Sequence, residues 1–223
     1  MMTQATIDTA DFARMRDAMV ASQLRTNAVN DPRVVTAMAR VPREQFLPEA
    51  QRALAYRDTA VPIAHERAAN VPIATGKLLT RAEIAASDRV LLIGAAGGYT
   101  AAVLAELARS VVAVESDPAL IAIARPALAG YANVELVEGD LTAGWPGRAP
   151  YDLLVVDGAV EHLPEALVDQ VAPGGRIVTG VADRGVTRLA TGVRSAGGFG
   201  LATFADVDCV ALPGFARPKT FTF

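Results

Sequence analysis

Cysteine occurs once in this chain, at Cys209. A lone thiol cannot close an internal disulfide, which fits a reducing compartment, and its strand-like surroundings point to a buried thiol rather than a nucleophile. Histidine occurs only at His65 and His162, so with one cysteine a zinc site lacks its ligands. Basic residues are not in excess: 21 Lys and Arg against 24 Asp and Glu give a formal charge of −3, and no basic cluster appears. Nothing electrostatic therefore recommends nucleic acid as a partner. The apolar stretches are broken by glycine or charge well short of membrane-spanning length. The opening MMTQATIDTADF lacks the basic and apolar regions of a signal peptide. The expectation is a soluble cytoplasmic protein with no membrane partner. Charge is sparse at 20%, whereas 52% of residues are hydrophobic, which excludes disorder as the general state. The 223 residues suffice for one α/β domain with a large core.

What the chain does have is concentrated between Arg89 and Glu115, RVLLIGAAGGYTAAVLAELARSVVAVE. Val90 to Ile93 is a short apolar run rich in branched residues, with charge before it and glycine after it, as for a strand buried on both faces. Gly94, Gly97 and Gly98 punctuate the turn that follows. Helical spacing returns from Tyr99 to Leu107, with Val103, Leu104 and Leu107 on one side, so the turn delivers a helix N-terminus above the strand. Val111 to Val114 makes a second strand, and Glu115 stands at its carboxyl end, where open α/β sheets bind ligands. A carboxylate about 20 residues beyond such a turn is placed to accept from ribose hydroxyls. The nicotinamide fingerprint G-x-G-x-x-G is missing, because Ala96 and Tyr99 stand where its second and third glycines belong. A shorter turn suits a ligand without a pyrophosphate, and S-adenosylmethionine is the obvious candidate. A plain strand-to-helix connection would use glycine in the same way.

Ahead of this unit, Asp11 to Leu24 has the spacing of an amphipathic helix, with Thr9 or Asp11 as its cap. Asp31-Pro32 opens a second helix with Val34, Val35, Met38 and Val41 on its stripe, ended by Val41-Pro42. No strand pattern is visible before residue 89, so the N-terminal third reads as a helical cap. Residues 60 to 79 form a proline-bounded loop and then a helix. His65, Glu66, Arg67 and Asn70 sit there in an apolar context, either as a site loop or as a solvated turn. After the unit, Asp117-Pro118 opens a helix, Val134 to Val137 is a strand ended by Glu138-Gly139-Asp140, and Tyr151 to Val156 is a strand ending at Asp157-Gly158. Leu163 to Val171 reads as a helix broken by Pro173-Gly174-Gly175, with Arg176 to Val178 as the next strand. Strand and helix alternate four times, which predicts an α/β doubly wound parallel sheet. Gly185 to Val193 and Gly200 to Leu212 read as an antiparallel pair at one sheet edge. Phe221-Thr222-Phe223 alternates as an edge strand would, or reaches a neighbouring subunit of a homo-oligomer.

These residues resemble a family, the protein-L-isoaspartate O-methyltransferases, which methylate the abnormal carboxylate of isoaspartyl residues with S-adenosylmethionine. The likeness runs over nearly the whole chain from Met19. It includes Gln23-Leu24-Arg25, Val41-Pro42-Arg43-Glu44 with Phe46, Ala55-Tyr56 with Asp58, Pro62-Ile63 and His65. It continues through Arg89-Val90-Leu91, Ile93-Gly94, Gly98-Tyr99, Ala101 to Ala105, Asn133-Val134, Gly139-Asp140, Ala149-Pro150 with Asp152, and Pro173-Gly174-Gly175. The resemblance implies a Rossmann-like class I methyltransferase sheet in a single domain over 1–223, with a cap and site loop in 1–79, the core in 80–180 and antiparallel edge strands in 181–223. It also implies that Gly94 and Gly98 hold the cofactor turn, Glu115 takes the ribose and Asp140 sits by the adenine. Leu141 and Gly97 would contribute through backbone groups. The implied partner is an isoaspartyl protein or peptide, or a small carboxylate.

Several positions depart from the family pattern. Its Gln-Thr-Ile-Ser-x-Pro loop is here Arg67-Ala68-Ala69-Asn70-Val71-Pro72, so both hydroxyls are gone. Its G-x-G-x-G turn is Gly94-Ala95-Ala96-Gly97-Gly98, where Ala96 disfavours positive φ. Leu92 replaces the acidic residue before the turn, Leu141 replaces a glycine, and Asp157-Gly158 replaces Thr-Ala. Asn70, at the position of the family's serine, is the candidate catalytic residue, as a donor to an acceptor or cofactor carboxylate, and Arg67 is a candidate to neutralise one. A carboxylate nucleophile is already an anion at neutral pH, so the lack of an acid/base dyad does not argue against activity. A metal is not expected, because Thr179-Gly180-Val181 lacks the second acidic or amide pair that catechol-type enzymes need alongside an Asp157-like residue. The Asn-Pro-Pro-Tyr signature of amino-directed enzymes is absent. Three readings follow: a repair methyltransferase, a diverged or non-catalytic relative, and a nicotinamide oxidoreductase, the last disfavoured by the missing glycines.

Overall fold

A computed structural model describes residues 8–217. The chain begins with α1 (Thr9–Met19), which continues as a π-helical turn over Val20–Leu24. Its cap is Asp8 rather than Thr9 or Asp11, because Asp8 accepts from the Asp11 N–H while the Asp11 carboxylate accepts from the Asp8 N–H. Then α2 (Pro32–Arg40) starts at the Asp31-Pro32 signal, with the Asp31 carboxylate accepting from the Arg33 N–H at 2.8 Å. Buried Val34, Val35, Ala37 and Met38 form its inner stripe.

The N-terminal third is not free of strands. β1 (Val61–Ala64) and β2 (Arg67–Ala69) form an antiparallel hairpin, turned by His65 and Glu66 at φ of 46° and 61°. Turns of this hand are usually signalled by Asn or Gly, which explains why the sequence hid it. α3 (Pro72–Arg81) follows and is almost wholly buried.

The main sheet contains β3 (Arg89–Ile93), β4 (Ser110–Glu115), β5 (Val134–Glu138), β6 (Tyr151–Val160), β7 (Val171–Asp183), β8 (Val186–Ser195) and β9 (Gly198–Ala205). Its order is β5-β4-β3-β6-β7-β8-β9. The first five in space are parallel, and β8 and β9 add antiparallel at one edge. The chain reverses direction of travel between β3 and β6, which makes their carboxyl ends the expected ligand crevice.

Alternate residues face two cores. Val90, Leu92, Val111, Ala113, Leu153 and Val155 pack against the N-terminal helices, α4 (Tyr99–Ala105) and α5 (Pro118–Ala127). Leu91, Ile93, Val112, Val114, Leu154 and Val156 face the other way, against Leu167 and Val168 of α6 (Glu165–Val168) and Leu212 and Phe215 of the tail. Strands buried on both faces read as continuous apolar runs for this reason.

Several boundaries differ from the sequence expectation: β6 runs through Asp157-Gly158 to Val160, and β9 ends at Ala205 rather than Leu212. α6 is only one turn long, and β7 begins at Val171, upstream of Pro173-Gly174-Gly175. Tyr151 faces Val171 while Leu153 faces Arg176, so the proline-glycine segment is looped out of a continuing strand rather than ending a helix. The Phe221-Thr222-Phe223 strand lies outside the described residues. Among the described residues, no helix is long and apolar enough to cross a membrane.

Candidate active site

The turn after β3 is shaped by its neighbours as much as by any ligand. The N–H groups of Gly94 and Ala95 both donate to the Val114 carbonyl at 3.1 Å, which ties the turn to β4. A Cβ on Gly97 would stand 2.0 Å from the Phe46 carbonyl oxygen, so glycine is required there by the cap. Ala96 adopts φ 48° despite its side chain, at a cost of about 1–2 kcal/mol. The expected preference against positive φ is overridden because this conformation aims the Ala96 N–H at the Glu115 carboxylate, 2.8 Å away.

Glu115, at the end of β4, is wholly buried. Arg67, on β2, donates to it from Nη1 and Nη2 at 2.9 and 3.0 Å. The N–H groups of Ser116 and Asp117 also donate to it, at 2.8 and 3.2 Å. Two residues along, His65 Nδ1 lies 2.8 Å from Asp117, whose other oxygen caps α5 by accepting from the Ala119 N–H. Loss of hydration raises the Asp117 pKa, but those hydrogen bonds outweigh it and hold the carboxyl below its usual value. The hairpin is thus clasped to the β4 terminus at two points. Between them opens a cleft of about 760 Å³, lined by His65 to Arg67, Ser116 to Ala119 and Ala211 to Pro213. That volume lies within the range of about 300–1,000 Å³ usual for small-molecule sites.

Asp140 stands exposed two residues past β5, at the same end of the sheet. One of its oxygens accepts from the hydroxyl and N–H of Thr142, each at 2.7 Å, which keeps its pKa below the usual value. Leu141 turns inward and is buried.

A second polar group lies under the turn. Asp157, in the break of register between Val155 and Ala159 of β6, accepts from the Thr100 hydroxyl of α4 and from Asn70 Nδ2 at 3.1 Å. Asn70 Nδ2 also lies 3.0 Å from Cys209 Sγ, while its oxygen accepts from the N–H groups of Val71 and Val210 at 3.2 and 3.3 Å. Both polar atoms of the Asn70 side chain are therefore engaged within the protein, and it staples the tail to β6. Arg43, also buried, donates to the carbonyls of Ala55 and Asn70 and stacks 4.7 Å over the Tyr99 ring. Burial pushes the Cys209 thiol up to about 12, which suits a packing role. The space among these groups is only about 10 Å³.

Sequence reasoning singled out Asn70, Asp157 and Cys209 separately but not their contact, and it missed Thr100 and the pairing of Arg67 with Glu115. Asn70 and Asp157, two departures from the family pattern, meet across 87 residues of chain. Desolvation raises the Asp157 pKa, opposed by the Thr100 and Asn70 hydrogen bonds and by the charges of Arg43 and Arg67. A carboxyl whose folded pKa is raised imposes no penalty below its unfolded value, here 3.8, and a full one above its folded pKa. The wild type should therefore lose stability relative to Asp157→Asn as pH climbs from about 4, which urea unfolding midpoints across pH 4–8 will show. Parallel midpoint curves for the two proteins would contradict this.

A parallel sheet that reverses between β3 and β6, with a glycine turn after its first strand and a carboxylate at the end of the second, defines a Rossmann-like methyltransferase fold. Two solved structures share it. One is a protein-L-isoaspartate O-methyltransferase, with TM-score 0.77 and 23% identity, covering 89% of this chain and 66% of that one. The other, from Plasmodium falciparum, is described as a putative protein-L-isoaspartate O-methyltransferase in complex with S-adenosyl-L-homocysteine; its TM-score is 0.76 at 19% identity, covering 88% of this chain and 97% of that one. The sequence pattern of the protein-L-isoaspartate(D-aspartate) O-methyltransferases matches residues 14–213. Protein-L-isoaspartate O-methyltransferase 1 of Rhodopseudomonas palustris is 44% identical over 185 residues, 82% of this chain and 76% of that one. A Methanoculleus marisnigri relative is 42% identical, over 77% of this chain and 79% of its own length. The chain belongs to the protein-L-isoaspartate O-methyltransferase family.

Proposed function

We propose that this chain transfers a methyl group from S-adenosylmethionine to the free carboxylate of isoaspartyl residues in proteins or peptides, a cytoplasmic repair reaction. The observation that carries the reading is the buried Glu115 at the end of β4, bonded to the glycine-turn segment through Ala96 and set behind Arg67 and Ser116, which line a cleft of about 760 Å³. Cleft size and the exposed Asp140 suit an adenosine-bearing ligand, and ribose hydroxyls suit Glu115 once Arg67 yields its place. Asp140 retains an oxygen free of Thr142 to accept from an exocyclic amine, Leu141 offers its N–H, and we assign the Gly94, Gly97 and Gly98 turn to the cofactor through its main chain.

When bound, S-adenosylmethionine supplies an electrophilic methyl on a sulfonium. The acceptor is already ionised, so no residue need remove a proton. The chain's own contribution is to align the two ligands and keep water out. The hairpin and the Leu212-Pro213 segment wall the cleft for that purpose. Asn70 acts as a positioning residue, holding the tail through Val210 and fixing Asp157 beneath the turn.

Titration calorimetry with S-adenosylhomocysteine, followed by transfer of labelled methyl to an isoaspartyl peptide, tests the reading. We expect micromolar binding and peptide labelling; binding without labelling would sink it. A second reading, the same chemistry on a small carboxylate, draws on the Asn70 and Asp157 pair that replaces the family's hydroxyls. Labelling of small carboxylates but not of the peptide would favour it.

A further inference from the structure

The two oxygens of Glu115 offer about four acceptor positions. Five N–H groups already point at them: two from Arg67 and the main-chain groups of Ala96, Ser116 and Asp117. Ribose hydroxyls would find no vacancy. The three main-chain donors are fixed by the glycine turn and by the approach to α5. Arg67 is the member of the set that can leave, since its side chain is held to Glu115 only by its head and already lines the cleft.

We propose that Arg67 is an exchangeable donor, displaced from Glu115 by ribose hydroxyls and then free to receive a ligand carboxylate in the cleft. The inference rests on the methyltransferase reading. Exchange keeps Glu115 hydrogen-bonded, because hydroxyls replace the guanidinium one for one. It leaves a cation whose side chain is only 10% exposed without its counter-ion. A charge so placed is costly until paired. Of the nearby anions, Asp117 is engaged by His65 and the Ala119 N–H and Asp157 by Thr100 and Asn70, while Glu66, on the rim of the same cleft, stands exposed to water. A ligand carboxylate entering the cleft pairs with this cation without the solvent screening that weakens exposed Glu66, and it matches the planar fork of a guanidinium. Two ligands carry such a group: the amino-acid end of the cofactor and the methyl acceptor. If the acceptor supplies it, binding is ordered, cofactor first, because Arg67 is unavailable until the ribose arrives.

The test is calorimetry on the full chain with methylthioadenosine, which has the ribose and no carboxylate, and with S-adenosylhomocysteine, which has both. Arg67→Ala and Arg67→Gln are compared with wild type; glutamine stands at this position in the family pattern, so that variant is expected to fold, and ligand-free thermal unfolding checks both. Methylthioadenosine should bind both variants about tenfold tighter, since nothing must be displaced. Unchanged or weaker binding would overturn the proposal. If S-adenosylhomocysteine gains less than methylthioadenosine does, the carboxylate is the cofactor's. If it gains equally while KM for the isoaspartyl peptide rises about tenfold at preserved kcat, the carboxylate is the acceptor's. Equal gain with an unchanged KM would refute the receiving role. A wild type that binds neither nucleoside would remove the methyltransferase reading itself.

Discussion

Glu115→Ala is expected to cost the fold about 3–5 kcal/mol and to weaken adenosine-ligand binding by two orders of magnitude or more. The stability loss comes from what remains behind. Arg67 keeps a charge in a site where its side chain is 10% exposed, and the N–H groups of Ala96, Ser116 and Asp117 lose their acceptor. Breaking a buried pair by removing one partner typically costs about 3–5 kcal/mol, more than the pair itself contributes. For a chain of this size that corresponds to a drop of roughly 6–20 °C in Tm. On the proposal that Glu115 accepts from the ribose, the binding loss follows from removing the acceptor of two hydroxyl hydrogen bonds, each to a charged group and worth about 1.5–3 kcal/mol. Arg67→Ala/Glu115→Ala should be more stable than Glu115→Ala alone, since the second change removes the orphaned cation. A double variant no more stable than Glu115→Ala would show that Arg67 is not the source of the loss.

This pair also marks how far the sequence could be read. Val90 to Ile93 and Val111 to Val114 were legible because strands buried on both faces are continuous branched runs, and Asp31-Pro32 and Asp117-Pro118 because cap and first-turn proline act locally. Glu115 was legible as the carboxylate ending the second strand. Arg67 was not legible as its partner, because the contact spans 48 residues and the hairpin that delivers Arg67 has a proline in β1 and no glycine in its turn. β7 was misread for a related reason: Pro173-Gly174-Gly175 looks like a stop, yet a bulge absorbs it and pairing resumes at Arg176. Local chemistry was visible; the contacts that decide whether Glu115 is free were not.

The Asn70 and Asp157 pair gives the second large effect. Asn70 Nδ2 lies 3.1 Å from an Asp157 oxygen, so Asn70→Asp places one carboxylate against another in a buried site. Two carboxylates at about 3 Å cannot both ionise at ordinary cost, and the folded protein will hold a proton that the unfolded chain releases. The folded pKa of the pair is then raised, so stability is retained at acid pH and lost as pH rises through that value, at up to about 1.4 kcal/mol per pH unit. Asn70→Asp should therefore fall more than about 3 kcal/mol below wild type at pH 8 and recover most of the difference by pH 4–5, read from urea unfolding. A deficit independent of pH would mean that the two side chains do not face each other. Asn70→Ser/Asp157→Thr, which restores the family's hydroxyls at both positions, should be less destabilised than its two single changes summed, by about 1–3 kcal/mol. Asn70→Ser alone leaves Asp157 buried without its amide donor, and Asp157→Thr alone leaves the amide without its acceptor. That coupling would establish that the two departures form one rewired unit beneath the glycine turn, so that either residue is understood only with the other in place.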